Sequence, residues 1–215
     1  MKVVVGLGNP GREYERTRHN IGWLALDVLA ARLGSGRFRR EKSVETAEAY
    51  HGGEKTYLVR PQTYMNRSGQ ALASWLGWFG EIRKAIQEEP AAARRDDPSC
   101  QWPGLLVVAD DVNLPLGKLR FRSSGSAGGH NGLADIAKAL GSGYPRLRLG
   151  VDEPPEVMDR ADYVLGRFGA EELPVVSKVV EAAAEAVDLW LREGICAARD
   201  RFNGIAIGGA AEAEK

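Results

Sequence analysis

Apolar positions along the chain fall into short solid runs and longer periodic ones, a pattern that predicts strands alternating with helices. Residues 3–7 form a β-branched run without polar alternation, as expected of a strand covered on both faces. Ile21, Leu24, Ala25, Val28, Leu29 and Leu33 recur at helical spacing, so this segment lays one face on that sheet, with Thr17 or Asn20 as its cap. Residues 46–50 and 56–60, split by Gly52-Gly53, read as a hairpin. Ala71, Leu72, Trp75, Leu76 and Phe79 mark the next helix, and residues 105–108 are the most strand-like run, stopping at Asp110-Asp111. Lys118 to Arg122 alternates basic with apolar residues, and a glycine-rich loop, 123–132, opens a helix carrying Leu133, Ile136, Ala137 and Leu140. Arg146-Leu147-Arg148-Leu149 alternates again, so both arginines face one way. Leu173, Val176, Val179, Val180, Ala183, Val187 and Leu191 give the closing helix. Residues 81–103 hold no readable pattern and are expected to be a surface excursion without chemistry. Beyond Gly204 only Gly, Ala, Ile, Glu and Lys remain, so a domain over 1–204 and a flexible tail over 205–215 are expected.

This order of elements implies an α/β fold, a single-domain twisted mixed, mostly parallel sheet with helices on both faces. Its 215 residues, 44% hydrophobic, suffice for one sizeable core. Lys plus Arg and Asp plus Glu both total 29, so global charge favours no polyanionic partner; local segregation does. Lys118, Arg120, Arg122, Lys138, Arg146 and Arg148 face only Asp135 within 116–149, whereas 171–193 is acidic. Cys100 and Cys196 have neither metal nor disulfide spacing, which suits a reducing compartment. No run approaches a membrane span. With a strand starting at residue 2 or 3, no leader is expected, and the cytoplasm follows as the default.

Gly6-Leu7-Gly8-Asn9-Pro10-Gly11 resembles a dinucleotide fingerprint, yet that fingerprint needs a helix to begin within its glycines. Here Arg12 to Arg18 intervene without an apolar stripe, and Asn-Pro-Gly is turn chemistry. The same connection carries His19 beside the first helical turn, where the positive helix end is expected to keep the imidazole neutral, as a general base must be. Asn9, Asn66, Asp110 and Asn131 each follow a predicted strand and precede a helix or loop, so with His19 they converge on one sheet rim. No nucleophile elbow and no triple of metal-ligand spacing is present, and no cofactor is expected. A histidine oriented by an aspartate can activate water, and amides can stabilise the oxyanion that follows. Water attack on an ester fits this composition best.

Three stretches carry a resemblance. Gly6-Leu7-Gly8-Asn9-Pro10-Gly11 with Tyr14 and Thr17-Arg18-His19-Asn20, then Thr63-Tyr64-Met65-Asn66 with Ser68-Gly69, then Gly125-Ser126-Ala127-Gly128-Gly129-His130-Asn131-Gly132 resemble the signatures of the bacterial-type peptidyl-tRNA hydrolases, in family order. The resemblance covers residues 1–193 and implies metal-independent hydrolysis of the ester joining a peptide to the 3′ ribose of tRNA. It implies a monomer whose partner is peptidyl-tRNA and not a membrane. By the same resemblance His19 is the catalytic base and Asp110 its orienting carboxylate. Asn9, Asn66 and Asn131 hold the peptide, the terminal adenosine and the attacking water. Tyr14 and Met65 contact substrate, while Arg120, Arg122 and Arg148 meet tRNA phosphates. Two departures stand out. Ala109-Asp110-Asp111-Val112-Asn113-Leu114-Pro115 lacks a neighbouring His and a second Asp of the usual motif, and the excursion at 84–103 is longer than in compact members. His130 is expected to support its loop, and Arg146 and Arg148 could equally form a solvated strand face. The rival from another class is a non-catalytic RNA-binding relative; a third possibility is an esterase of small N-blocked substrates.

Overall fold

A computed structural model describes residues 1–88 and 100–208. Its strands are β1 (Lys2–Gly6), β2 (Arg39–Glu41), β3 (Val44–His51), β4 (Glu54–Pro61), β5 (Leu105–Asp111), β6 (Leu119–Arg122) and β7 (Arg146–Gly150). They form one 7-stranded sheet in the order β2-β3-β4-β1-β5-β7-β6. β4, β1, β5 and β7 are mutually parallel, and antiparallel pairs close both sides. The sheet is therefore mixed and parallel at its centre, as the strand and helix order implies.

Helices cover both faces. α1 (Ile21–Arg32), α6 (Leu173–Glu193) and α7 (Ile195–Phe202) pack on one. α2 (Ser68–Trp78), α3 (Gly80–Gln87) and α4 (Asn131–Leu140) pack on the other. The unbroken apolar run of β1 now has its reason: Val4 joins the α1/α6 core while Val3 and Val5 join the α2/α4 core. Each such burial contributes about 1.5–3 kcal/mol, so shifting the strand by one residue would have little to gain.

The outer segments correct the sequence reading. Residues expected as a featureless excursion include α3, whose Ile82 and Ile86 are buried, and Cys100 and Trp102 are buried too; residues 89–99 lie outside the described residues. Gly104 donates to the carbonyl of Ile86, which ties that flank to β5. Past Gly204 the chain still pairs with the fold, Ala206 bridging Lys118 and the Ile207 N–H donating to the Gly117 carbonyl at 2.8 Å. Residues 209–215 of the expected tail lie outside the described residues. A short helix that sequence periodicity did not mark, α5 (Arg160–Leu165), starts at a side-chain cap from Asp159 to the Ala161 N–H. No helix among the described residues is long and apolar enough to cross a membrane.

Two glycines set the distances that matter for the rim. A Cβ on Gly22 would lie 2.6 Å from the Val108 carbonyl, so only glycine lets the start of α1 settle onto the end of β5. Gly69 plays the same part for α2, whose backbone meets the Asp135 carbonyl of α4.

Candidate active site

His19 sits in a 3₁₀ turn, Arg18–Asn20, directly before α1. The turn is held from outside by Arg18, whose guanidinium pairs with Glu172 and lies over the rings of Tyr163 and Phe168 at 4.4 and 5.0 Å. Asn20, expected as a possible helix cap, makes no capping bond. Its side chain instead brackets the backbone of Asn9, accepting from the N–H at 2.8 Å and donating to the carbonyl at 3.0 Å. Residues 9, 19 and 20 are thus locked as one unit.

Across the rim, β5 delivers Asp110, 2% exposed. His19 Nδ1 lies 2.8 Å from Asp110 Oδ1, and His130 Nε2 lies 3.0 Å from the same oxygen. The tautomer of His130 follows from its other nitrogen. Nδ1 accepts the N–H groups of Gly132 and Leu133 at 3.1 and 3.2 Å, so the proton must be on Nε2, donated to Asp110. His130 therefore supports its loop, as expected, and also shares the carboxylate with His19. With Nδ1 of His19 donating to Asp110, Nε2 is the atom left to take a proton, and no described residue bonds it.

The electrostatics revise the expectation of a helix-neutralised base. Burial pulls the His19 pKa down, but the charge and hydrogen bond of Asp110 outweigh it, and the net shift is upward from 6.5. Burial alone would raise Asp110; the two imidazoles reverse this and hold it well below the usual carboxylate range. Asp110 is an anion at any physiological pH, and His19 is a stronger base than an isolated imidazole.

Spacing along the chain held no hint of a metal triple, yet the fold brings three ligand-type side chains together. Donor atoms of His19, Asp110 and His130 lie within 4.8 Å of one another. The His130 tautomer does not suit a metal. A neutral ring ligating through Nε2 would need its proton on Nδ1, where two backbone N–H groups already point.

His19, Asp110, Asp111, His130 and Asn131 line a cavity of about 230 Å³ together with Asp159, Arg160 and Val164 of the α5 region. Asn9, Tyr14, Met65 and Asn66 are not among its lining residues. Asn9 is buried and its Oδ1 accepts the Met65 N–H at 2.7 Å, which turns its Nδ2 donors away from Met65. Asn66 is exposed on the 3₁₀ turn Met65–Arg67. Tyr14 meets Tyr64 edge to face at 6.4 Å. Arg160, 3.2 Å from the Asn113 side-chain oxygen, was not anticipated. Its helix of 6 residues is too short to show a periodic signal.

Of the expected phosphate contacts, Arg122 is exposed and Arg120 half-buried, and both line an open cleft with Lys118. Arg148 is placed differently. It is 8% exposed, paired with Asp111 at 3.0 Å and donating to the Ser126 carbonyl at 2.8 Å, because the loop after β6 covers this part of β7. The solvated-face expectation for Arg146 and Arg148 is corrected with it.

Comparison with known proteins gives concordant findings. A family model described as Peptidyl-tRNA hydrolase matches residues 3–86 and 92–210. The chain is 46% identical over 205 residues to the peptidyl-tRNA hydrolase of Chloroflexus aggregans, spanning 94% of this chain and 99% of that one. Identity to the same enzyme of Chloroflexus aurantiacus is 43% over 204 residues, with 94% and 99% covered. The crystal structure of the peptidyl-tRNA hydrolase from Acinetobacter baumannii superposes with a TM-score of 0.81 at 27% identity, covering 96% of each chain.

Proposed function

The chain belongs to the peptidyl-tRNA hydrolase family and hydrolyses peptidyl-tRNA; from that premise we propose that His19 is the general base, oriented by Asp110, that activates the attacking water. The 2.8 Å bond from His19 to a buried carboxylate at the wall of an open cavity carries this assignment. His19 Nε2 takes one proton from water as the oxygen attacks the ester carbonyl. The tetrahedral intermediate collapses, the 3′ ribose oxygen leaves, and the proton on Nε2 passes to it. Peptide carboxylic acid and free tRNA result, with no covalent enzyme intermediate and no metal required. Asn9 offers Nδ2 to the developing oxyanion, an effect worth roughly 3 kcal/mol per donor. Asn131 at the cavity wall positions water, and Asn66, Met65 and Tyr14 contact the peptide and terminal adenosine. We infer that the enzyme acts as a monomer, and a tRNA substrate suits the cytoplasm.

His19→Ala is expected to lose turnover by a thousandfold or more, on the order seen for catalytic histidines, while tRNA binding persists. Retained turnover in that variant would remove His19 from the chemistry. Hydrolysis in heavy-oxygen water should place the label in the peptide carboxylate; label in the tRNA ribose would exclude attack at the carbonyl. The pH profile gives a second check. Since only unprotonated His19 accepts a proton and its pKa is raised, the acid limb of kcat/KM should lie above pH 6.5. Asp110→Asn removes the raising charge and leaves burial unopposed, so the limb should move to lower pH as the rate falls. An unmoved limb would detach the profile from this pair.

A further inference from the structure

Arg146 is among the largest fully buried side chains of the protein, 1% exposed, and no described carboxylate lies within ion-pair distance of it. Its guanidinium is matched by carbonyls alone. Nη1 donates to Ser126 at 3.0 Å, Nη2 to Ser142 at 2.8 Å, and the group lies over the Tyr144 ring at 4.2 Å. A cation buried without an anion is costly, and burial accordingly pulls its pKa down. The two carbonyls explain what that cost secures. Ser126 lies in the glycine-rich loop shortly before His130, and Ser142 directly follows Gly141, which ends α4. One side chain therefore grips the segment carrying His130 and Asn131 at both of its ends.

We propose that Arg146 is a positioning residue for hydrolysis: by holding the Ser126 and Ser142 carbonyls it fixes the loop that delivers the His130 N–H to Asp110 Oδ1. The effect reaches the chemistry through a shared oxygen. The His130 proton draws charge from the oxygen that also receives His19 Nδ1, so a displaced His130 leaves Asp110 with a stronger hold on the His19 proton. Tyr144 and Arg148 are the titratable groups facing Arg146, and Asp110 and His130 those facing His19. The inference rests on the assignment of His19 and Asp110 to the reaction, which His19→Ala tests separately.

The experiment compares full-length wild type, Arg146→Met and Arg146→Lys in turnover of an N-acetylated peptidyl-tRNA over a range of pH and salt, with nitrogen NMR of the histidine rings. Arg146→Met should lower kcat by roughly tenfold to a hundredfold, the range a small misplacement produces. KM and the salt slope of tRNA binding should stay at wild-type values, the acid limb of kcat should move to higher pH, and His130 should lose its fixed Nε2–H tautomer. Arg146→Lys reaches one carbonyl and should fall between the two; it carries the same comparison if the Met variant does not fold. Unchanged kcat in either folded variant, or a loss confined to KM and salt slope, would overturn the proposal. A kcat loss with an unmoved pH limb and an intact His130 tautomer would overturn it as well. Absence of turnover in wild type, or its persistence in His19→Ala, would instead fault the assignment beneath it.

Discussion

Arg120-Phe121-Arg122 and Arg146-Leu147-Arg148 have the same alternating pattern, and the sheet sets them side by side, Arg120 opposite Arg148 and Arg122 opposite Arg146. Cross-strand partners project to the same face, yet their fates differ. On the edge strand β6, Arg122 stays exposed, while on β7 both arginines are buried under the loop that carries His130. Alternation encodes which way a side chain points. Whether anything covers that face depends on a loop whose path no periodicity records. The comparison separates two settings of positive charge, one left in water and one desolvated beneath the loop that carries His130.

The largest expected effect comes from stranding a buried charge. Asp111→Ala leaves Arg148 buried without its carboxylate, at side-chain exposures of 10% and 5%, and should cost about 3 kcal/mol of unfolding free energy in urea titration. A loss below about 1 kcal/mol, the level of a surface pair, would show that water reaches Arg148 and that the contrast between the strands is smaller than drawn.

What could be read from sequence divides along the same line. Strand runs such as 3–7 and 105–108, and the stripes of α1 and α6, were legible because burial on a sheet demands local apolar spacing that few other structures share. His19 and Asp110 were legible because each sits where a strand or helix signal ends, and the motifs around them agree with the fold that brings them together. His130 on Asp110 was only half legible: its glycine-rich loop marked a support role, but the shared oxygen is a contact between residues 20 positions apart. Asn20 looked like a helix cap and serves to bracket Asn9, since both uses favour the same short amide. β2 escaped because its 3 residues are all charged, and α3, α5 and α7 because a helix of 8 residues or fewer completes only about two turns, too few for a stripe to separate from chance.

A smaller effect, and a purely electrostatic one, is expected on the exposed strand. Arg120→Ala combined with Arg122→Ala should weaken tRNA binding by about tenfold and lower the salt slope by roughly one for each phosphate no longer neutralised, with kcat unchanged. Stability should move by no more than about 0.5 kcal/mol. An unchanged salt slope would take this pair off the phosphate path and leave Lys118, which lines the same cleft, as the first alternative to test.

The smallest effect sharpens the contrast most directly, because the same conservative change is made at two sites of adjacent strands. Arg122→Lys keeps a mobile point charge in water, where a phosphate accepts an ammonium as readily as one arm of a guanidinium, so affinity should change by less than about twofold. Arg148→Lys cannot reach both Asp111 and Ser126, the two groups its forked donors now satisfy. It should lose about 1–2 kcal/mol of stability from the bond left unmade. Binding measured beside urea unfolding reads both. Equal responses at the two positions would mean that the fork geometry of Arg148 is idle and that β7 carries charge in the same sense as β6. Unequal responses in the expected direction would place the division between binding and positioning at the boundary of these two strands.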